Sequence, residues 1–278
     1  MLLPTQISAN AVPILELPER REISHVIFDF DGTLSWLRHG WPRIMCEVCR
    51  EFYPARPGET EAEILDHLLN ELLALNGKQT IYQMEKFVSM VEERGGQAPA
   101  PEALLEEYLR RLDFDIRERT LMIKNGQVDR DAFVIAGARP LLDELRSRRL
   151  TLIILSGTIE HRVVEEAEML ELSGYFGRHI YGSVADPTKF SKRMVIDRIL
   201  REERIEGRHL LSFGDGPVEI AQTKEVGGLA IAVASDEDVN GSGKLDPHKQ
   251  QQLVLAGADA VIPDYLGVQS LIRSIFGT

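Results

Sequence analysis

The hydrophobic positions of the chain alternate between short apolar runs and longer amphipathic stretches. The apolar runs are bounded by glycine or polar residues, which is typical of strands buried on both faces of a parallel sheet. This pattern predicts five strands and a sixth with a weaker signal: His25–Phe30, Thr151–Leu155, His209–Phe213, Leu229–Val233, Ala260–Ile262 and the weaker His179–Tyr181. Amphipathic helices are predicted between them, for example at Pro140–Arg149 and Lys192–Leu200. This order predicts an α/β fold, a doubly wound parallel sheet with helices on both faces.

One long interval breaks this alternation. Between Ser35 and Gly137 the sequence shows no strand pattern, and its apolar residues recur at helical spacing in three stretches. These predicted helices are Ala62–Leu75, Thr80–Arg94 and Pro101–Leu112. We therefore predict that residues 35–137 form a helical domain inserted into an α/β core made of residues 1–34 and 138–278.

The amino-acid composition and charge exclude several classes of protein. The chain has 278 residues, of which 44% are hydrophobic and 27% charged, and its formal net charge is −12. These values exclude a disordered chain or a disulfide scaffold, and the acidic balance argues against nucleic acid or membrane partners. No apolar run reaches the roughly 18 residues of a membrane helix. The first ten residues lack a signal-peptide pattern, and with two cysteines we predict a cytoplasmic protein.

The strongest chemical signal is the segment DFDGTL, from Asp29 to Leu34, at the end of the first apolar strand. Two carboxylates at the end of a buried strand are costly unless something compensates them, and a divalent cation does so through oxygen ligands. Asp29 could also attack phosphorus as a nucleophile. Asp31 would then protonate the leaving oxygen and later activate water. The alternative interpretation is an aspartate that only caps an Asp-Gly turn.

Three more polar motifs follow later strands. Ser156 and Gly157 come after the second strand, Lys192 opens a helix after the third, and Asp215 follows the fourth, with Glu219 four residues further on. Ligands of such sheets bind beyond the carboxyl ends of the strands, so we expect these residues to converge there. Hydroxyl, backbone N–H and ammonium groups suit phosphate oxygens.

Together these motifs resemble the haloacid dehalogenase (HAD) superfamily, in its phosphatase branch with a helical type 1 cap, similar to phosphoglycolate phosphatases. The resemblance implies that Asp29 forms an aspartyl-phosphate and that Asp31 acts as acid and base. It also implies that Ser156, Gly157 and Lys192 hold the phosphoryl group. The implied cofactor is Mg²⁺, and its implied ligands are Asp29, Asp31 (through its backbone carbonyl) and Asp215.

Two positions depart from the family pattern or leave an alternative. The family usually has a second aspartate where this chain has Glu219, and this departure leaves two roles open for Glu219: a direct metal ligand, or a group that holds a metal-bound water. Lys189 lies in the loop before the same helix and competes with Lys192 for the phosphate role. We favour Lys192 because the apolar helical stripe begins just after it.

The sequence therefore predicts a Mg²⁺-dependent phosphatase that acts on a small phosphorylated metabolite of the sugar phosphate, phosphoglycolate or nucleotide class. The presence of Asp31 favours phosphate esters over carbon–halogen bonds, because an alkoxide leaving group needs a proton and a halide does not. The alternatives are a phosphomutase of the same family and a non-enzymatic phospho-receiver. The receiver places its acceptor aspartate after a later strand.

Two further motifs imitate metal sites. Cys46 and Cys49 form a C-x-x-C without a second ligand pair, so we interpret them as buried small residues of a helix. The stretch from Asp236 to Gly241 resembles the start of a calcium-binding EF-hand loop, but its twelfth position is Pro247 instead of glutamate.

Overall fold

Six parallel strands form one sheet in the order β3-β2-β1-β4-β5-β6. The structure is a computed structural model that describes residues 22–184 and 186–277. The strands are β1 His25–Phe28, β2 Thr151–Ile159, β3 Ile180–Ser183, β4 Leu210–Gly214, β5 Leu229–Val233 and β6 Ala260–Ile262. The predictions made for residues 1–21, including the absence of a signal-peptide pattern, lie outside the described residues.

The described residues also form eleven α-helices. They are α1 Trp41–Arg50, α2 Glu61–Leu73, α3 Thr80–Glu93, α4 Pro101–Lys124, α5 Ala138–Ser147, α6 Glu160–Met169, α7 Ser173–Phe176, α8 Lys192–Glu202, α9 Pro217–Glu225, α10 Pro247–Leu255 and α11 Gln269–Phe276. No helix among residues 22–184 and 186–277 combines the length and the apolar character needed to cross a bilayer.

Helices pack against both faces of the central strand β1. Val26 and Phe28 point into one apolar cluster, in which Phe28 stacks on Phe213 with ring centroids 5.0 Å apart. Ile27 points the other way and packs with Ile196 of α8 in a second cluster. Because successive residues of a strand face opposite sides, this continuous apolar run can only be buried in a sheet covered on both faces. The predicted doubly wound α/β class is confirmed.

The bounds of several elements differ from the sequence predictions. Strand β1 ends at Phe28, two residues early, because the chain turns away through Gly32, whose φ is +73°. Helix α4 continues to Lys124, twelve residues beyond the predicted end at Leu112. Its second half has an exposed Phe114, so the apolar periodicity fades although the backbone stays helical.

Helices α1–α4 form a helical module (residues 41–124) with an apolar cluster of its own, which contains Trp41, Leu68, Phe87 and Tyr108. Two chain segments link it to the sheet. We call them the first connection (residues 35–40) and the second connection (residues 125–137).

The two connections run side by side and are hydrogen-bonded to each other. The backbone N–H of Trp36 donates to the carbonyl of Phe133 at 2.8 Å, and the N–H of Ile135 donates at 2.9 Å to the carbonyl of Leu34, the residue just before the first connection. The loop between α2 and α3 lies against the sheet edge, where the Asn76 side chain donates to the carbonyl of Asp215 at 3.2 Å. The module therefore covers the carboxyl ends of the strands.

Candidate active site

Asp29, Lys192 and Glu219 lie in direct contact at the carboxyl edge of the sheet. Lys192 Nζ is 3.1 Å from Asp29 Oδ1 and 3.2 Å from Glu219 Oε2, and all three side chains are buried. Lys192 begins α8, whose N-cap residue Ser191 accepts a hydrogen bond from the N–H of Met194. Burial opposes the ammonium charge, but the two carboxylates raise the pKa of Lys192 above its usual value.

Asp29, Asp215 and Glu219 form a buried acidic triad. Each offers one carboxylate oxygen, and these oxygens lie within 4.8 Å of one another. Burial raises the pKa of Asp215 and of Glu219, and the neighbouring carboxylates raise both further. Lys249 on Asp215 and Lys192 on Glu219 oppose this increase. A buried cluster of this kind is stabilised by a cation that offsets the repulsion among its charges.

The donor set and its surroundings fit a small divalent cation. Carboxylate oxygens are the ligands that Mg²⁺ prefers. Oδ2 of Asp215 and Oε2 of Glu219 are buried and accept no hydrogen bond among the described residues, although the ammonium groups of Lys249 and Lys192 lie 3.4 Å and 3.2 Å from them. Gly32 leaves room for Asp215, because a Cβ at position 32 would lie 2.2 Å from Asp215 Oδ2. Glu219 thus offers one carboxylate oxygen to the same buried group as Asp29 and Asp215.

Asp31 faces the same cavity but has different partners. Thr158 Oγ1 donates to Asp31 Oδ2 at 2.7 Å, and Nε of Arg38 lies 3.0 Å from Asp31 Oδ1. Burial raises the pKa of Asp31, while Arg38 and the hydrogen bond from Thr158 oppose the increase. A carboxyl group with a raised pKa keeps its proton to higher pH, which suits a proton donor.

Arg38 also pairs with Glu166 of α6. The guanidinium contacts both carboxylate oxygens of Glu166, through Nη2 and, at 3.3 Å, through Nε. Both side chains are buried, and burial raises the pKa of Glu166 to about 7 against the opposing effect of Arg38. The role of Glu166 cannot be predicted from the sequence, because nothing in its local pattern distinguishes it from other charged residues of α6.

Ser156 and Gly157 lie near the carboxyl end of β2. Ser156 is buried, and its Oγ accepts a hydrogen bond from the N–H of Thr158 at 3.0 Å. A Cβ at Gly157 would lie 3.3 Å from the carbonyl oxygen of Lys78 in the helical module. Both residues line the same cavity as Asp29 and Lys192.

This cavity has a volume of about 480 Å³ and lies between the sheet edge and the helical module. The polar site residues line it on the sheet side: Asp29, Asp31, Ser156, Gly157, Lys192 and Asp215. The module contributes Trp41, Ile81, Tyr108 and Leu109, together with the α2–α3 loop. Such a volume is within the range of small-molecule sites.

Other residues singled out in the sequence lie away from the site. Lys189 is 75% exposed and pairs with Asp186 at 3.3 Å, whereas Lys192 is buried against Asp29. Cys46 and Cys49 are free, buried thiols of the module, so the interpretation as buried residues of a helix is confirmed.

Lys249 was not predicted from the sequence. It lies on α10, is 2% exposed, and places Nζ 3.4 Å from Asp215 Oδ2. It also contacts Glu237, on the loop before α10. No motif signals this arrangement, because Asp215, Glu237 and Lys249 lie on different elements of the chain and meet only in three dimensions.

The family model of haloacid dehalogenase-like hydrolases matches residues 23–227. This chain belongs to that family. The match begins before β1 and ends after α9, so it contains every residue of the acidic triad together with Lys192. HAD membership also means that the chain is a hydrolase by family. No curated protein matches the sequence.

Solved structures with the same fold span nearly the whole chain. A conserved HAD-like protein of unknown function from Agrobacterium tumefaciens has 17% identity and a TM-score of 0.62, with 91% of this chain and 98% of that chain covered. A predicted phosphoglycolate phosphatase from Haemophilus somnus has 11% identity, a TM-score of 0.56, and coverage of 90% and 98%. A candidate beta-phosphoglucomutase from Thermotoga maritima has 16% identity, a TM-score of 0.53, and coverage of 91% and 100%. At these identities the similarity shows the shared fold.

Proposed function

We propose that this HAD-family protein is a Mg²⁺-dependent phosphatase that hydrolyses a small phosphorylated metabolite through an aspartyl-phosphate on Asp29. The observation that carries the proposal is the buried contact of Lys192 with both Asp29 and Glu219, next to Asp215. The proposed nucleophile Asp29, the proposed phosphate-binding Lys192 and the proposed metal ligand Asp215 all line the same cavity, and Glu219 lies in contact with Lys192. The predicted phosphoglycolate phosphatase among the structural neighbours supports the same activity.

In the first step, a carboxylate oxygen of Asp29 attacks phosphorus and the ester P–O bond breaks. Oδ1 of Asp29 accepts a hydrogen bond from the N–H of Phe30 at 2.8 Å and contacts Lys192, so Oδ2 is the candidate attacking oxygen. Asp31, as the carboxylic acid, gives its proton to the leaving alkoxide, which departs as an alcohol. Ser156 and the N–H of Gly157 bind phosphoryl oxygens, and Lys192 offsets their charge.

In the second step, water attacks the aspartyl-phosphate. The carboxylate of Asp31 takes a proton from this water, the acyl-phosphate P–O bond breaks, and Asp29 is restored as inorganic phosphate leaves. When bound, Mg²⁺ would supply positive charge that stabilises the phosphoryl oxygens and screens Asp29 from them. Asp29, Asp215 and Glu219 would hold it, together with the backbone carbonyl of Asp31.

We further propose that residues 35–137 act as a cap on a core made of residues 1–34 and 138–278. The α2–α3 loop, which touches Asp215 and Gly157, supports this role. A cap that closes over bound substrate excludes water and selects the leaving group. The net charge of −12 disfavours nucleic acid and anionic membranes as partners, so a free small molecule is the proposed substrate.

The same residues could support a phosphomutase, which returns the phosphoryl group to a second hydroxyl rather than to water. The candidate beta-phosphoglucomutase among the structural neighbours and the covered cavity favour this alternative. The two functions differ in their product. Stoichiometric release of inorganic phosphate from a sugar phosphate supports the phosphatase, and an isomerised sugar phosphate supports the mutase.

The test is a phosphatase screen over a panel of phosphorylated metabolites, with and without Mg²⁺. We expect turnover that requires Mg²⁺ and falls roughly a thousandfold or more in Asp29→Asn. Asp238→Asn, at an exposed aspartate outside the cavity, is the matched control and is expected to keep wild-type turnover. Undiminished turnover in a folded Asp29→Asn protein would contradict the proposal.

A further inference from the structure

The loop between β5 and α10 holds the first connection of the helical module. The indole Nε1 of Trp36 donates to the carbonyl of Asp236 at 3.2 Å. The backbone N–H of Gly40, the N-cap residue of α1, donates to Glu237 Oε2 at 2.7 Å. This is the stretch that resembled an EF-hand in the sequence, and two of its residues are bound to the module instead.

The same loop also holds the second connection. The side chain of Asn240 accepts a hydrogen bond from the N–H of Ala136 at 3.0 Å and donates to the carbonyl of Val134 at 2.7 Å. It donates a further hydrogen bond to the carbonyl of Ala132 at 3.2 Å. The segment from Asp236 to Asn240 therefore binds both chain segments about which the module would move.

Glu237 connects this loop to the acidic triad. Its Oε2 accepts from Gly40, and its Oε1 pairs with Nζ of Lys249. Lys249 Nζ lies 3.4 Å from Asp215 Oδ2 and 3.3 Å from Oγ of Ser235. A continuous chain of polar contacts thus runs from the start of α1, through Glu237 and Lys249, to a carboxylate of the triad.

Lys249 and Glu237 act from outside the cavity. The described residues that line the cavity include Asp215 but neither Lys249 nor Glu237. Lys249 is 2% exposed, so its ammonium depends on its buried partners for compensation. Groups that hold a metal-binding carboxylate in one orientation strengthen metal binding, and their loss typically weakens it by about 10- to 100-fold.

We propose that Lys249 and Glu237 are positioning residues that hold Asp215 for divalent-cation binding and tie it to the first connection of the module. This inference rests on the proposed function, because it assumes that the acidic triad binds the cation. It assigns a role to the loop between β5 and α10 and to Lys249, neither of which belongs to the motifs found in the sequence.

The first test measures Mg²⁺ affinity by isothermal titration calorimetry in the full-length protein. We expect Lys249→Met to bind Mg²⁺ about 10- to 100-fold more weakly than wild type. Lys244→Met, at an exposed lysine of the same loop region, is the control and is expected to bind as wild type. A Lys249→Met protein with a lower melting temperature but wild-type Mg²⁺ affinity would show a purely structural role and overturn the inference.

The second test asks whether Glu237 acts through Lys249. Glu237→Gln should weaken Mg²⁺ binding, and the double variant Lys249→Met/Glu237→Gln should bind as weakly as Lys249→Met alone. If the losses of Mg²⁺ affinity in the two single variants instead add up in the double variant, the connection between the two residues is overturned. The double variant also removes the unpaired buried carboxylate that could prevent Lys249→Met from folding, so it can replace the single variant in the first test.

The third test uses amide hydrogen exchange, which does not depend on turnover. If the chain of contacts couples the triad to the module, saturating Mg²⁺ should slow exchange of the peptide that contains Gly40 in wild type. The same Mg²⁺ saturation should leave this peptide unchanged in Glu237→Gln. Equal protection in both proteins, or none in wild type, would overturn the coupling.

The controls separate failure of the inference from failure of the proposed function. If wild type binds no Mg²⁺, or Asp215→Asn binds it as tightly as wild type, the proposed metal site is wrong and the inference falls with it. If Asp215→Asn loses binding while Lys249→Met keeps it, only the positioning role is wrong.

Discussion

Nε of Arg38 lies 3.0 Å from Oδ1 of Asp31, so the proposed proton donor is paired with a residue of the first connection of the helical module. The same guanidinium also binds Glu166 of α6. Arg38 therefore joins three parts of the molecule: the loop after β1, the connection to the module, and a helix that covers the sheet. Its removal would leave two carboxylates without their cation.

The first prediction concerns the stability supplied by this buried pair. Arg38→Met should lower the free energy of unfolding by about 3 kcal/mol, because Glu166 would remain buried without its partner. Arg38→Met/Glu166→Gln should recover part of the loss. Urea denaturation measures both, with the exposed Arg43→Met as control, for which we expect little change. Equal effects at positions 38 and 43 would contradict the role of the pair.

The second prediction separates the roles of Asp31 and Asp29. Asp31→Asn should reduce kcat/KM roughly a hundredfold or more for an alkyl phosphate, whose alkoxide needs a proton. The loss should be much smaller for p-nitrophenyl phosphate, which leaves as a stable phenolate. Asp29→Asn should abolish turnover of both substrates. An equal loss for both substrates in Asp31→Asn would show that Asp31 is not the proton donor.

The third prediction tests the space around Asp215. Gly32 and Gly126 both have positive φ, +73° and +66°, so alanine strains the backbone similarly at either site. A Cβ at position 32 meets Asp215 Oδ2, whereas one at position 126 meets nothing within 4 Å. Both variants should lose about 1 kcal/mol of stability or more, but only Gly32→Ala should also lose Mg²⁺ affinity. Isothermal titration calorimetry measures the Mg²⁺ affinity of both variants. Equal affinities of Gly32→Ala and Gly126→Ala would argue against Asp215 as a ligand.

The fourth prediction is a pH dependence of stability that arises from His25. Burial lowers the pKa of this histidine, and His179 and His209 lower it further, against the opposing effect of Glu203. Below a pH of about 6.5 the unfolded chain binds a proton that the folded chain resists, so folding stability falls as the pH falls. The exposed His67 is the control position for a substitution of His25.

Thermal unfolding of His25→Gln, His67→Gln and wild type at several pH values checks this prediction. Acidification from neutral pH should lower the melting temperature of wild type and of His67→Gln more than that of His25→Gln. Parallel changes in all three proteins would contradict the contribution of His25.

The sheet could be predicted closely because its strands are buried on both faces. The segments Leu229–Val233 and Ala260–Ile262 are strands with the predicted bounds, since a short apolar run between polar boundaries has few other stable environments. Helix α4 was harder to delimit. Beyond Leu112 its exposed Phe114 breaks the apolar periodicity, while residues of high helix propensity keep the backbone helical to Lys124.

The site was predictable only as far as its residues follow strands. Asp29 and Asp215 each come directly after a strand and Ser156 lies near the carboxyl end of β2, and parallel topology brings such positions to one edge. Glu166 and Lys249 lie inside helices, and their identity as buried charges depends on which helix face meets the site. A charged residue on an amphipathic helix is usually solvated, so its pairing with Arg38 or Asp215 carries no signal in the sequence.

The most direct test of the account is to find the covalent intermediate on Asp29. The protein is mixed with p-nitrophenyl phosphate and Mg²⁺, quenched rapidly in acid, and digested for peptide mass spectrometry. We expect the peptide containing Asp29 to gain the mass of one phosphoryl group, and Asp29→Asn neither to gain it nor to turn over the substrate. Turnover without a phosphorylated peptide at any quench time, retained in Asp29→Asn, would contradict the account.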